Sequence, residues 1–88
     1  MEVILMPTAI EDLDYWKISG NIIILKRIRQ MIEAIQQEPF NGIGKPEKLK
    51  YNWTGWWSRR INEEHRIVYK FEQNNVIVYS LRYHYLKK

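Results

Sequence analysis

The stretch from Asn21 to Gln37 carries apolar side chains at Ile24, Leu25, Ile28, Met31, Ile32 and Ile35. Intervals of three and four gather these onto one side of a helix, whereas a strand would scatter them over both faces. Lys26, Arg27, Arg29 and Gln30 take the outer side. One flank of this helix must be buried, so the rest of the chain has to supply the surface that covers it. The β-branched run Ile22-Ile23-Ile24 forms helix less readily, but the amphipathic stripe outweighs that local preference.

Upstream, Val3-Ile4-Leu5-Met6 reads as a short strand that stops at Pro7, because a residue before proline is pushed out of the helical region. Thr8-Ala9-Ile10-Glu11 fits a capping box, which starts a helix at Thr8 that runs to about Ser19-Gly20. Within it Ile10, Leu13 and Trp16 or Lys17 fall at helical spacing, and the acidic Glu11, Asp12 and Asp14 sit early, where amide dipoles favour negative charge. Two helices joined at Gly20-Asn21 predict an antiparallel hairpin laid over a sheet.

Downstream, Glu38-Pro39, Asn41-Gly42, Gly44, Pro46 and Gly55 predict one long ordered loop over residues 38–55, rich in lysine. Strands follow over 56–61, 65–71 and 76–83, separated by Asn62-Glu63-Glu64 and Gln73-Asn74-Asn75, as a three-stranded antiparallel meander. The expected fold is α+β, in the order β-α-α-β-β-β, with the helical hairpin on one face of the meander and the other face free. With 88 residues the chain has room for one domain, residues 1–88.

The absence of cysteine excludes a disulfide framework, a thiolate metal site and a thiol nucleophile. Together with a count of two histidines it argues against a metal nuclease, and no Walker loop, dinucleotide-binding glycine loop or zinc spacing is present. No metal or cofactor is expected. Met1-Glu2-Val3-Ile4-Leu5 lacks a basic leader, and no apolar run reaches the roughly 18 residues needed to span a bilayer. A cytoplasmic protein without membrane contact is the expectation.

The net charge of +4 is unevenly spread. Residues 1–44 hold four basic and six acidic side chains, a net −2, while residues 45–88 hold ten basic and four acidic, a net +6. A basic second half suits a polyanion, and a complement of four Trp and six Tyr supplies both core material and stacking surfaces. Trp53, Trp56 and Trp57 are read first as packing around the long loop, and Tyr15 and Trp16 as hairpin packing or a homodimer surface.

Alternation along the strands sorts these residues into rows. In the last strand Ile77, Tyr79, Leu81, Tyr83 and Tyr85 form the more apolar row and are expected to face the helices. That leaves Val76, Val78, Ser80, Arg82 and His84 on the free face. In the strand before it His65, Ile67, Tyr69 and Phe71 read inward, His65 as a core or interface histidine, and Arg66, Val68 and Lys70 outward. For Trp57, Arg59 and Ile61 against Ser58 and Arg60, the pattern does not choose. Arg66, Arg82, His84 and one of Arg59 or Arg60 would repel one another unless an anion sits among them, and phosphate suits arginine's planar fork. A histidine there can donate or accept a proton, and Glu47, among Lys45, Lys48 and Lys50 on the loop, can act as a base. Metal-free acid-base cleavage of RNA is the chemistry that such a set suggests.

Three ordered stretches sharpen this: 42–50 (Gly-Ile-Gly-Lys-Pro-Glu-Lys-Leu-Lys), 55–69 (Gly-Trp-Trp-Ser-Arg-Arg-Ile-Asn-Glu-Glu-His-Arg-Ile-Val-Tyr) and 82–85 (Arg-Tyr-His-Tyr). With Tyr15-Trp16 they resemble the YoeB-type toxins of the RelE/ParE superfamily, and the resemblance covers essentially the whole chain. It implies a RelE-like fold and a toxin of a bacterial toxin-antitoxin pair that cuts mRNA in the ribosomal A site, a site outside this chain. By motif, Glu47 is the implied general base, His84 the general acid and Arg66 the phosphate-stabilising arginine. Lys50 and Arg60 are supporting cations, and Tyr85 positions substrate. Lys45, Lys48, Arg59 and Arg82 complete the expected phosphate-binding set. A cognate antitoxin with an acidic or amphipathic C-terminal segment is the implied partner beside the ribosome and its mRNA, and a homodimer is compatible with this branch. Many relatives end near His-Tyr, whereas this chain continues as Leu86-Lys87-Lys88. Two other functions fit the charge and fold: a noncatalytic RNA- or ribosome-binding module, and a ParE-like gyrase inhibitor, against which the Glu47/His84 pair weighs.

Overall fold

The computed structural model describes residues 1–83. They form β1 (Glu2–Leu5), α1 (Pro7–Ile18), α2 (Ile22–Gln37), β2 (Glu47–Lys48), β3 (Trp57–Arg60), β4 (Arg66–Glu72) and β5 (Asn75–Ser80), with a 3-10 turn at Tyr51–Trp53. The α+β architecture, its helical hairpin and its β3-β4-β5 meander agree with the sequence. The sheet is larger than expected. Its order is β1-β5-β4-β3-β2, and β1 runs parallel to β5, so the sheet is mixed. A parallel neighbour needs a long crossover, which the hairpin and meander together provide. β2 is a two-residue edge strand inside what the sequence reads as continuous loop, too short to leave a periodic signature.

α2 buries Ile24, Ile28, Met31 and Ile35 in the core, each apolar side chain contributing roughly 1.5–3 kcal/mol. Asn21 caps it, its side-chain oxygen accepting from the Ile24 amide at 3.1 Å. α1 differs from its expectation in two respects. It begins at Pro7 with Met6 as N-cap and no side-chain cap, so Thr8 lies inside the helix and the capping box does not form. Proline's fixed φ already sets the first helical residue, which moves the cap two positions earlier, from Thr8 to Met6. The buried positions of α1 are Ala9, Asp12 and Trp16, while Ile10 is 48% exposed. A buried aspartate on the inner face is the departure that matters, and its partner is given below.

The core lies between the hairpin and one sheet face, where Trp16, Ile24, Ile28, Met31 and Ile35 meet Ile61, Ile67, Tyr69, Val76, Val78 and Leu81. The rows of β4 are as expected. Those of β5 are reversed: Val76 and Val78 face the helices, opposite Phe71 and Tyr69, and Ile77 lies opposite Lys70 on the other face. A register shift beside Val68/Tyr69 then adds a residue to β5, so that Leu81 returns to the core. β5 ends at Ser80, and Arg82 does not continue its row.

The second sheet face is not wholly free. Trp53 and Trp56 fold over it onto Tyr79, with ring centroids 5.0 and 5.9 Å away, and Lys70 lies 4.9 Å from the Trp56 ring centre. The three tryptophans of this region therefore pack, as expected, Trp57 lying against Phe40 on the helix side. No helix among the described residues is long and apolar enough to cross a membrane.

Candidate functional site

The remainder of the second face carries the charged cluster. β2 sets Glu47 opposite Ser58, and β3 sets Ser58 opposite Val68 and Arg60 opposite Arg66. Residues two apart on a strand share a face about 6.7 Å apart. Glu47, Arg60 and Arg66 thus lie on neighbouring rows of one face, within reach of each other's long side chains. Their electrostatics agree: Arg66 is held below the ordinary guanidinium value first by burial and then by Arg60, while Glu47 and Glu63 work in the opposite sense. Two like charges side by side are costly unless an anion offsets them, and Glu47 and Glu63 act on Arg66 in that sense.

The Arg66 guanidinium is anchored at one end. Its Nη1 donates to the carbonyls of Asn62, Glu63 and His65 at 3.1, 3.3 and 3.3 Å. The turn that presents those carbonyls is itself tied by the Asn62 side chain, which accepts from the Glu64 and His65 amides. Among the described residues Nε and Nη2 are left for a ligand, the geometry in which arginine grips phosphate.

Arg59 does something else. It is fully buried on the helix side of β3, donating through Nε to the Tyr69 hydroxyl at 3.1 Å, through Nη1 to Ile43 O at 3.3 Å, and through Nη2 to Glu38 O at 2.5 Å and Asn41 O at 2.8 Å. Tyr69 in turn donates to Pro39 O at 2.7 Å. Nη1 and Nη2, and the Tyr69 hydroxyl that Nε holds, go to the chain after α2, whose breaker-rich backbone has carbonyls that no ladder satisfies. Arg59 has no surface to offer a phosphate, and its expected place in the binding set is withdrawn. Gly44 shows how tightly that loop lies: at φ 84 it accepts from the Arg60 amide at 2.6 Å, and a Cβ there would stand 2.8 Å from Met31 Sδ.

Arg82 is likewise absent from the Arg66 face. It lies against α1, its guanidinium carbon 4.0 Å from the Tyr15 ring centre and 4.7 Å from that of Tyr83, with Nε 3.9 Å from Asp12 Oδ1. Lys48, one residue from Glu47 on β2, pairs with Trp57 and takes the helix face. Lys45 and Lys50 are exposed on either side of β2. His84 and Tyr85 lie outside the described residues. Of the expected set, Glu47, Arg60 and Arg66 are brought together, Lys45 and Lys50 flank them, and Lys48, Arg59 and Arg82 do not join them.

Sequence reasoning missed a second group, Asp12, Trp16 and His65, which converges on the chain after β5. His65 is buried, as its inward row suggested, and packs edge-on to Trp16 with ring centroids 4.8 Å apart. The one available signal was an aspartate at an inner position of α1, where an acid demands a donor.

The chain matches the family model described as the YoeB-like toxin of bacterial type II toxin-antitoxin systems over residues 5–85. Toxin YoeB of Escherichia coli K12 is 41% identical over 85 residues, covering 97% of this chain and 100% of that protein. Among solved structures, a YoeB/ParE toxin from Agrobacterium tumefaciens superposes with a TM-score of 0.92 at 33% identity, covering 97% of this chain and 100% of that one. YoeB of Staphylococcus aureus, solved in a YoeB-YefM complex, gives 0.87 at 42% identity, with 97% and 98% covered. A YoeB dimer, also from Staphylococcus aureus, gives 0.88 at 41% identity, with 97% and 98% covered.

Proposed function

We propose, from the premise that this chain belongs to the YoeB-like toxins of bacterial type II toxin-antitoxin systems, that it is a ribosome-dependent endoribonuclease that cuts mRNA in the A site and so stops translation. The observation that carries this reading is the Arg60–Arg66 pair beside Glu47 on one sheet face. The scissile phosphate lies between the two guanidinium groups. Glu47 takes the proton of the 2′-hydroxyl, the 2′-oxygen bonds to phosphorus, the bond from phosphorus to the 5′-oxygen breaks, and His84 protonates that leaving oxygen. The products are a 2′,3′-cyclic phosphate and a 5′-hydroxyl end, with no redox change and no metal required. Arg66 and Arg60 stabilise charge that builds on the phosphoryl oxygens, and Tyr85 positions the substrate. Lys45 and Lys50 hold neighbouring phosphates and add salt dependence without sequence preference.

The reading treats residues 1–88 as one toxin domain at work in the cytoplasm, where ribosomes are. Its activity is held in check by a cognate antitoxin, supported by the Staphylococcus aureus YoeB-YefM complex, and a self-association like that of the solved YoeB dimer fits the same family. The net +6 of residues 45–88 suits an acidic antitoxin segment. The decisive experiment maps 5′ ends on mRNA in programmed ribosomes, with free RNA as control. Cyclic-phosphate ends that depend on ribosomes and vanish in the Glu47→Ala/His84→Ala double variant are expected. Wild-type cleavage by that double variant overturns the mechanism. Binding without new ends identifies a noncatalytic ribosome ligand, and inhibited supercoiling with intact translation a gyrase inhibitor.

A further inference from the structure

Past Ser80 the chain leaves the sheet, and the backbone of residues 81–83 loses its ladder. Its polar groups are nevertheless taken up one by one. The Leu81 amide donates to Asp12 Oδ2 at 2.9 Å, and the Leu81 carbonyl accepts from Trp16 Nε1 at 2.9 Å. The Tyr83 amide donates to His65 Nδ1 at 2.7 Å, and the Tyr83 carbonyl accepts from the Arg66 amide at 3.1 Å. Three of the four partners are side chains that are nearly inaccessible, with Asp12 and Trp16 each 5% exposed and His65 8%.

This grip is costly to build. It buries a carboxylate, an indole N–H and an imidazole to hold three residues of irregular backbone, and it fixes Tyr83 at φ 63, which a residue bearing a Cβ rarely adopts. Such a conformation persists only where its surroundings over-determine it. Nothing in the core requires it, since Leu81 alone of the three residues joins the apolar cluster. What the grip does fix is the direction in which the chain leaves Tyr83, beside the Arg66 amide.

We infer that His65, with Asp12 and Trp16, is a positioning residue for the chemistry of His84: it clamps the arm of chain at Tyr83, the residue that precedes His84 in the sequence. The inference rests on the proposed ribonuclease reaction. The role assigned to His65 is to hold backbone, not to transfer a proton. Nδ1 accepts from an amide and so carries a lone pair, which leaves the proton on Nε2, 3.7 Å from Glu64 Oε1. Trp16 fixes the ring plane, edge to face, and ties α1 to the same arm. Arg66 serves both ends of the geometry, its amide holding the arm and its guanidinium facing the substrate.

The test compares His65→Leu with His65→Asn, because asparagine presents Oδ1 about where Nδ1 lies and keeps the acceptor. Turnover and KM are measured on programmed ribosomes, alongside thermal unfolding. His65→Leu is expected to lower kcat by about 30- to 100-fold, the scale of a misplaced catalytic group, with KM changed less than about 3-fold. His65→Asn is expected to restore at least about ten-fold of that loss. Leucine and wild-type rates that agree overturn the inference, as do equal rates for leucine and asparagine variants. Should His65→Leu fail to fold, Trp16→Phe carries the test by deleting the Nε1–H bond to Leu81 along with part of the buried ring, the packing loss being read from thermal unfolding: a kcat reduced about ten-fold at constant KM supports the clamp, and an unchanged kcat refutes it. His84→Gln in the same assay separates the two levels, since wild-type cleavage by that variant defeats the proposed reaction whatever the arm does.

Discussion

Arg59 and Arg60 sit side by side on β3 and point to opposite faces of the sheet. Arg59 is fully buried and spends its Nε, Nη1 and Nη2 on the Tyr69 hydroxyl and three loop carbonyls. Arg60 is exposed, stands opposite Arg66 and faces the row that holds Glu47. The first has its compensation in fixed hydrogen bonds, whereas the second stands beside Arg66 in a cluster on which Glu47 and Glu63 also act and which, on the proposed reading, a phosphate completes. On the helix face, then, charge serves the fold. On the other face, under the proposed function, charge is held ready for a substrate, at some expense in mutual repulsion. If that division is right, substitutions on the two faces should separate cleanly in what they damage.

The largest separation is expected at Glu47. Glu47→Gln keeps the shape of an exposed β2 side chain and removes its capacity to accept the 2′-hydroxyl proton, so turnover should fall by about 10²- to 10⁴-fold. Stability should move by less than about 0.5 kcal/mol. Single-turnover cleavage on ribosomes and denaturant unfolding measure the two. A variant that cuts normally would dismantle the division at its centre.

The mirror experiment is Arg59→Met, which fills the volume but leaves the carbonyls of Glu38, Asn41 and Ile43 and the Tyr69 hydroxyl without their donor. Each buried group left unsatisfied costs about 1–3 kcal/mol, and with partial relief by water the total is expected at about 2–4 kcal/mol. Urea midpoints would show it, and the loop of residues 38–44 should become protease-sensitive first. Once folded at low temperature, the variant should retain most of its cleavage rate. Loss of rate with full stability would place Arg59 in the wrong class.

Arg60→Ala tests the other arginine and should act oppositely. A stability change under about 0.5 kcal/mol is expected, with cleavage about ten-fold slower and a salt dependence of substrate affinity shallower by about 0.7 in log-log slope, the amount for one phosphate contact on a single strand. An unaltered salt slope would remove Arg60 from the substrate contacts.

How much of this could be read in the chain follows the same division between local and distant causes. The α2 stripe was legible because every residue that defines it lies within one helix. Glu47 and Arg66 could be named as candidates because short local motifs carry them. The face of β5 was not, since a bulge opposite Val68/Tyr69 shifts its alternation, and bulges depend on the partner strand's register. Arg59 and Arg60 could not be told apart by pattern, because both rows of β3 contain an arginine. The choice is made by the loop of residues 38–44, whose unpaired carbonyls need a donor from below. The bonds of Asp12 and Trp16 to Leu81 were not legible for a related reason, their partner being 69 and 65 residues away. Chemistry that couples distant backbone leaves only an odd residue at an inner position as its trace.

The smallest effect expected belongs to Tyr69, and it probes the helix face by pH. Burial pushes its phenol above the ordinary tyrosine value, while the hydrogen bond and charge of Arg59 work the other way. The folded protein therefore holds this proton more tightly than the unfolded chain does. Its contribution to stability is complete below about pH 10, the unfolded value, and is lost as pH rises through the folded value. Tyr69→Phe removes the titration together with the bonds to Arg59 and Pro39, at a cost of about 1 kcal/mol at neutral pH. Other tyrosines and lysines titrate equally in both proteins, so the informative quantity is the difference between wild type and variant. That difference should hold steady up to about pH 10 and shrink above it, while cleavage at neutral pH stays near the wild-type rate. A gap that does not narrow at high pH would mean that the Tyr69 hydroxyl already reaches solvent, and that the seal between Arg59 and the loop of residues 38–44 is looser than its hydrogen bonds indicate.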